Sequence, residues 1–296
     1  MKTIRSLVET YYDVQNMRIE VDNQIRAYAQ GVSKQEITFI KESVSQPLTN
    51  IEDDIKKYIN KSLKKDPVTT ELYEYLSGIK GIGPMLSGGL IAWIEDIERF
   101  ATISKLWAYC GVAGGYVKSE CAKGHKIIST SMPVTCPIFK SRPVNPLDPD
   151  LIPDVKKKEA EGKCGAKMTL LEKHEGEVAR RQVGWFILQN TRLKTHIWKI
   201  GESFVKTKGG YRELYDQFRV EYNEKWQTPA DCKSKGCAKY KKCLDGHKYM
   251  AAKRKTTKVF LAHLHMKWRE IKGLPIDHPF IIGREGHSHL IPIVYE

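Results

Sequence analysis

Three cysteines and one histidine in a short basic stretch carry the strongest chemical signal in the chain. They follow the spacing Cys-x4-Cys-x5-Cys-x3-His, with ligands at Cys232, Cys237, Cys243 and His247. Three cysteines with one histidine form one of the recurring closed, tetrahedral ligand sets of structural zinc. Because metal binding supplies folding energy, such a loop needs little core of its own. The spacing therefore predicts a zinc site in the loop 232–247.

This loop also has a more specific interpretation and two alternatives to zinc. Its x5 and x3 gaps are similar to those of CCCH zinc fingers, which often read single-stranded RNA, and Tyr240 could stack on a base. The same residues could instead be free thiols in a basic loop, whereas an iron–sulfur cluster is less favoured because a histidine ligand is less usual there. The lysines that make the loop basic are Lys233, Lys235, Lys239, Lys241 and Lys242.

A second set of possible ligands is more widely spread along the chain. Cys121, His125, Cys136 and Cys164 could bind another metal, but their spacing fits no compact motif, so we expect independent thiols. The chain has seven cysteines, and this odd number in clusters indicates metal ligation rather than a disulfide framework.

A glycine-rich turn could hold a phosphate. Lys80, Gly81, Ile82 and Gly83 lie between an apolar helix end and Pro84, a residue suited to the first position of a helix. Two glycines let the turn expose backbone N–H groups beside the positive helix end, while Ile82 would fill the gap between the helices. The pattern predicts a helix-hairpin-helix. An ordinary helix corner is the alternative, since Ser87, Gly88 and Gly89 weaken the second helix.

The net charge narrows the class of partner. A formal charge of +14 and a pI near 9.3 favour a polyanion such as DNA or RNA. No stretch approaches the roughly 20 apolar residues needed to span a bilayer, and the first residues lack an apolar signal core. We therefore expect a soluble, cytoplasmic protein that does not bind membranes.

In the segments that must position these groups, the apolar residues recur mostly at helical spacing. We expect a mainly α fold with four regions: a helical hairpin over 1–66, a helix-hairpin-helix core over 67–113, an irregular Pro/Lys-rich insertion over 114–176 and a helical region over 177–296. Short strands are expected near Lys126–Ile128 and Pro133–Val134. The hairpin could form a homo-oligomer or pack on the rest of the chain.

The last long helix is expected from His247 to Lys272, and a preceding helix from Glu177 through Ile200. The final helix is basic as well as amphipathic, which is typical either of a solvated face or of a phosphate-contacting one. The residues that would contact phosphate are Lys253, Arg254, Lys255 and Lys258.

Three consecutive segments resemble a known family. They are Ile79-Lys-Gly-Ile-Gly-Pro84, Ile94-Glu-Asp-Ile-Glu-Arg-Phe100 and Lys105-Leu-Trp-Ala-Tyr-Cys-Gly-Val112. In this order they are similar to the C-terminal module of the bridge-RNA-guided DEDD insertion-sequence transposases, the "one-ten" family related to pilin-gene invertases. The resemblance extends over 1–119 and 177–275 and is most specific over 76–112.

This resemblance carries implications for catalysis. Family enzymes use four acids of an RNase-H-like domain to bind magnesium, and no run of strands with spaced carboxylates occurs in this sequence. They also use a nucleophilic serine after the Tyr-x-Gly helix, for which Ser119 is the nearest match. Lys118 and Lys123 could hold phosphate there, but no activating base is identifiable, so an exposed loop serine is the favoured interpretation.

Three functions remain under consideration. The first is a transposase-related protein that binds duplex or branched DNA, with structured RNA as a further partner. The second is an active recombinase that uses Ser119 with acids from another chain. The third is a CCCH zinc-finger protein that binds RNA. The missing acids favour the first over the second, and the hairpin favours contact with the DNA backbone over base readout.

Overall fold

The computed structural model describes residues 1–28, 31, 33–138, 163–232 and 244–276. The described residues form two compact units. The helical unit contains Met1–Leu106 and the described residues from Thr195 onwards, and the strand unit contains the described residues between Trp107 and Lys194. The prediction of a mainly helical protein is confirmed. Among the described residues, no helix is long and apolar enough to cross a membrane.

The helical unit begins with an antiparallel pair. Helix α1 (Lys2–Tyr28) packs against α3 (Gln46–Leu63), which follows α2 (Lys34–Ile40) through a π-helical turn at Lys41–Ser45. The antiparallel sense is visible in two contacts, because Ser45 donates to Asp22 at 2.8 Å whereas Glu52, further along, accepts from Arg18 at 2.6 Å. Ser33 caps α2 and forms a capping box with Glu36.

Helix α5 forms the centre of this unit. It spans Pro84–Ile94, follows α4 (Pro67–Ser77) and is buried from Ser87 to Ile94. Two glycines make this burial possible. A Cβ at Gly88 would lie 2.7 Å from Cγ2 of Ile59 on α3. The glycines that weaken α5 by propensity are therefore required by close helix packing.

The remaining helices follow in chain order. A 3₁₀ turn at Ile97–Arg99 precedes α6 (Ile103–Tyr109). Later come α7 (Thr191–Lys206), α8 (Gly210–Lys225) and α9 (Leu244–Ile271), and α9 packs against α8. The final helix thus lies close to its predicted bounds. The helix predicted from Glu177 was wrong over its first part, because residues 177–190 are not helical and α7 begins only at Thr191.

The strand unit corrects the expectation of an irregular insertion. Strands β1 (Tyr116–Cys121), β2 (Lys126–Ser129), β3 (Met168–His174) and β4 (Phe186–Ile187) form a sheet in the order β3-β1-β2-β4. β1 is antiparallel to β2 and β3, and β2 is parallel to β4. The strand predicted near Lys126 is confirmed. The one at Pro133–Val134 is replaced by an isolated bridge between Thr135 and Lys167.

Candidate nucleic-acid turn and Cys/His cluster

The glycine-rich turn joins α4 to α5 and has one buried and one exposed side. Ile82 is buried, as expected for a residue that fills the space between two helices, whereas Lys80 and Gly83 are exposed. Gly81 has a φ of +94°, in the left-handed region that glycine adopts without strain. The turn therefore holds its apolar residue inward and presents Lys80 and the start of α5 outward.

The start of α5 offers N–H groups to an anion. Gly83 is the N-cap, with extended φ and ψ of −91° and 179°, and no side chain caps this helix end. The first helical bond is the one from Ser87 N–H to Gly83 O at 3.0 Å. Met85 and Leu86 therefore have no intrahelical acceptor, and Pro84 has no N–H. An exposed helix N-terminus of this kind can bind a phosphate oxygen.

Helix α7 holds the turn from its inner side. Ser203 Oγ donates to Gly81 O at 2.6 Å. A Cβ at Gly81 would lie 2.9 Å from that hydroxyl oxygen and 3.1 Å from Oγ1 of Thr207. Sequence reasoning missed both residues, since nothing in the local pattern links α7 to a turn so distant in the chain.

The basic residues of α9 are less accessible than the sequence suggested. Lys253 is only 2 % exposed and forms an ion pair with Glu202, while its Nζ lies 3.0 Å from the centre of the Trp198 ring. Tyr249 also donates to Glu202, at 3.0 Å. Burial lowers the pKa of Lys253, although Glu202 opposes this effect. Lys253 would have to leave this network to contact a phosphate.

The other three residues of α9 that were predicted to contact phosphate are half-buried. Lys255 pairs with Glu221, and its ammonium lies 4.3 Å from the centre of the Phe218 ring. Burial lowers the pKa of Lys258, and the nearby Arg254 lowers it further. A bound phosphate would offset the repulsion between two neighbouring cations. Arg254 and Lys258 therefore stay candidates for a phosphate contact.

The strand unit brings together a second set of possible metal ligands. Cys121, His125, Cys136 and Cys164 place their ligand atoms within 4.8 Å of one another. Nδ1 of His125 lies 3.5 Å from the sulfur of Cys121 and 3.3 Å from that of Cys136. The expectation that these cysteines are independent thiols was therefore wrong in one respect, because the fold brings them close together. Four soft or borderline ligands at these distances could bind a metal ion.

Backbone N–H groups point at the sulfur of Cys121. The N–H groups of Lys123 and His125 each lie 3.4 Å from it, in a turn that Gly124 closes with a φ of +78°. Burial alone would raise the pKa of Cys121, but these donors, with its neighbouring thiols, bring that pKa below its ordinary value. At Cys136, burial and the adjacent Cys121 raise the pKa. Several of these clustered thiols would become thiolates together only if a cation were bound among them.

The ligand set predicted in 232–247 is described only in part. Cys232 Sγ lies 3.3 Å from Nδ1 of His247. Cys237 and Cys243 lie outside the described residues. The predicted zinc site there is consequently neither confirmed nor contradicted.

Ser119 does not lie in an exposed loop. It belongs to β1, where it pairs with Ile127 of β2 and Leu170 of β3, and its exposure is 0 %. Its hydroxyl has no hydrogen-bond partner among the described residues. Lys118 pairs with Glu172 at 2.9 Å, whereas Lys123 is exposed. In this conformation a phosphodiester could not reach Ser119.

These features together define a class: a mainly helical, strongly basic protein with an exposed glycine turn and a Cys/His cluster that could bind a metal. A comparison with protein families adds a more particular finding. Residues 73–130 match the family described as Transposase IS116/IS110/IS902 family. This segment includes the turn, α5 and the β1–β2 hairpin, and the match relates it to transposases and to DNA recombination. A comparison with curated proteins finds no match.

Proposed function

We propose that this protein is related to transposases and binds duplex or branched DNA through the backbone amides of its glycine turn. One observation carries the proposal: within the segment similar to transposases, Gly83, the N-cap of α5, is exposed beside Lys80. Amides and a lysine at a helix start contact phosphate without reading bases. Binding is therefore expected to depend on DNA shape and on salt more than on sequence.

The basic surface supports the same proposal. The chain carries a net charge of +14, and Arg254, Lys255 and Lys258 on α9 add half-buried cations to the helical unit. Such groups raise affinity for any polyanion. Structured RNA is thus a further partner to be measured beside DNA, as is single-stranded RNA at the loop 232–247 if its four predicted ligands bind zinc.

The first experiment compares five labelled nucleic acids by fluorescence anisotropy: duplex DNA, a four-way DNA junction, single-stranded DNA, hairpin RNA and single-stranded RNA, each at several salt concentrations. Tighter binding to the duplex or junction is the expected result. Preference for single-stranded RNA would favour the zinc-finger alternative, and binding to none of the five would overturn all these functions.

Gly83 offers a matched pair of variants. No atom lies within 4 Å of a Cβ built at Gly83, so Gly83→Ala keeps both the fold and the N–H. Gly83→Pro removes the N–H at a residue whose φ of −91° is close to the range of proline. We expect about tenfold weaker DNA binding for Gly83→Pro alone, with thermal melts confirming that both variants fold. Equal affinities would contradict amide contact.

An active recombinase that uses Ser119 is a second candidate, since this serine lies in the matched segment. Its burial requires β1 to rearrange before attack. A covalent protein–DNA adduct on a nicked substrate, lost in Ser119→Ala, would establish this activity. The absence of an adduct with wild-type protein, both alone and with a separate chain that supplies the four acids, would reject it.

We also propose that the protein forms a homo-oligomer through its N-terminal helices. Apolar side chains are exposed along α1–α3, namely Met17, Ile19, Tyr28, Phe39, Val44, Ile51 and Tyr58. Covering these side chains would be favourable. Light scattering after gel filtration should show an oligomer that Ile51→Glu disrupts and the neighbouring exposed Asn50→Glu preserves. A monomeric wild-type protein would contradict the proposal.

A further inference from the structure

We infer that Cys121, His125, Cys136 and Cys164 form a structural zinc site that holds the strand unit together. The distances fit this metal. With Zn–S bonds of about 2.3 Å and Zn–N bonds of about 2.05 Å, tetrahedral zinc places sulfur and nitrogen about 3.5 Å apart. The two sulfur-to-Nδ1 distances of His125 are 3.5 and 3.3 Å.

The sulfur atoms require only a small adjustment. Tetrahedral zinc places two sulfurs about 3.8 Å apart, given the same bond lengths. All four ligand atoms already lie within 4.8 Å of one another, so a shift of about 1 Å or less completes the tetrahedron. The four ligands come from separate parts of the strand unit, and their convergence on one point is the main evidence for the site.

The backbone around the cluster is arranged to receive thiolates. At Cys121, two N–H groups point at the sulfur, and Gly124 N–H donates to the carbonyl oxygen of Cys121 at 2.8 Å. At Cys136, the N–H of Ile138 donates to the sulfur. N–H donors stabilise the charged form of a sulfur and orient metal-bound cysteines.

The site is closed, which assigns it a structural role. Its three cysteines are buried and His125 is half-buried. Four protein ligands occupy all positions of a tetrahedral ion, so none is left for water or substrate. Soft thiolates with one imidazole select zinc over magnesium or calcium, which prefer oxygen ligands.

The ion would join two pieces of backbone. Cys121 and His125 lie on the β1–β2 hairpin. Cys136 and Cys164 lie on a short antiparallel ladder in which Cys136 N–H donates to Ala166 O at 2.8 Å and Cys164 N–H donates to Ile138 O at 2.7 Å. Fixing such distant residues to one ion lowers the conformational entropy of the unfolded chain.

The apolar core around the ligands is small. Its buried members other than the cysteines are Ile127 and Met168, with the partly buried Ile138 and Ala166 packed against them, and a separate cluster of the strand unit lies about Tyr116 and Ile128. Zinc binding would add stability where this local core is small.

The test measures zinc in the purified full chain by mass spectrometry and by release with a thiol reagent. We expect Cys136→Ala to lose about one zinc per chain relative to wild type. Cys110→Ala is the matched control, because Cys110 is also buried in the strand unit but lies outside the cluster. Cys232→Ala reports separately on the ligand set of 232–247.

A conservative variant guards against simple misfolding. His125→Cys creates a set of four cysteines, another closed zinc set, and should keep the zinc that Cys136→Ala loses. Removing zinc from wild-type protein should also increase amide hydrogen exchange across 116–129 before it affects α1. Unchanged zinc content in Cys136→Ala, a metal-free wild-type protein with a protected β1–β2 hairpin, or bound iron in place of zinc would each overturn the inference.

Discussion

The hydroxyl of Ser203 donates a 2.6 Å hydrogen bond to the carbonyl oxygen of Gly81, and so fixes the glycine turn to helix α7. The bond occupies the inner side of the turn and leaves Gly83 exposed at the start of α5. A preformed turn can bind phosphate without first losing conformational freedom. Under the proposed mode of DNA binding, this contact would connect the stability of the helical unit to the affinity for DNA.

Replacing Gly81 should lower both the stability of the helical unit and the affinity for DNA. Gly81→Ala places a Cβ at a φ of +94° and 2.9 Å from Ser203 Oγ, so we expect a loss of about 1–3 kcal/mol in the free energy of unfolding and weaker DNA binding. Gly78→Ala is the control, because its φ is −71° and its new Cβ would meet atoms no closer than 3.5 Å. Denaturant titration distinguishes the two variants, and equal unfolding midpoints for both would contradict the prediction.

Gly89 should tolerate no side chain. A Cβ there would overlap the ring of His196 and lie 2.8 Å from Cζ3 of Trp93, inside a fully packed helix contact. We expect Gly89→Ala to destabilise the protein by about 1–3 kcal/mol. Gly246→Ala, in open space on α9, should stabilise it by roughly 0.5–1 kcal/mol through helix propensity. Thermal melts in which Gly89→Ala is as stable as wild type would show that α5 and α7 pack differently.

His196 should make stability depend on pH. Burial, with a further contribution from Lys199, lowers the pKa of His196 to about 4, and its Nε2 bonds to Leu86 O at 2.8 Å. Between pH 6.5 and 4 the unfolded chain therefore binds a proton that the folded chain does not. Stability is lost as pH falls through this window, by on the order of 3 kcal/mol in total.

The measurement compares the pH dependence of the unfolding free energy for wild type and His196→Gln. Other titrating groups contribute equally to both proteins, so the difference between the two slopes isolates His196. The variant should be less stable near neutral pH but should lose less stability on acidification. Parallel slopes from neutral pH down to the lowered pKa would show that His196 binds its proton equally readily in the folded and the unfolded protein.

Lys253 should prove important for stability rather than for DNA affinity. Lys253→Gln removes the cation paired with Glu202, and we expect a loss of about 1–3 kcal/mol with no change in the salt dependence of DNA binding. Lys80→Gln should do the reverse, reducing the slope of log affinity against log salt by about one with little effect on melting. A smaller slope of log affinity against log salt for Lys253→Gln would instead indicate that Lys253 contacts DNA.

Local signals in the sequence were enough to predict a mainly helical chain and to place some of its helices, although not the start of α7. Pro84 at the start of α5 and the long amphipathic α9 are both signals of this kind, and each lies close to where the pattern placed it. Helix geometry repeats over three or four residues, so its apolar face can be read within one segment. The glycine turn was visible for the same reason.

The positions of the scattered polar residues depend instead on long-range packing. Cys121 and Cys164 meet because β1 pairs with β3, a contact between segments far apart in sequence, and no local spacing encodes it. Ser119 is buried on β1, an interior strand of the sheet, and Lys253 is buried because Gly201 allows α7 to approach α9 closely. Burial and ligand geometry follow from which elements pack together, and that depends on the free energy of the whole fold.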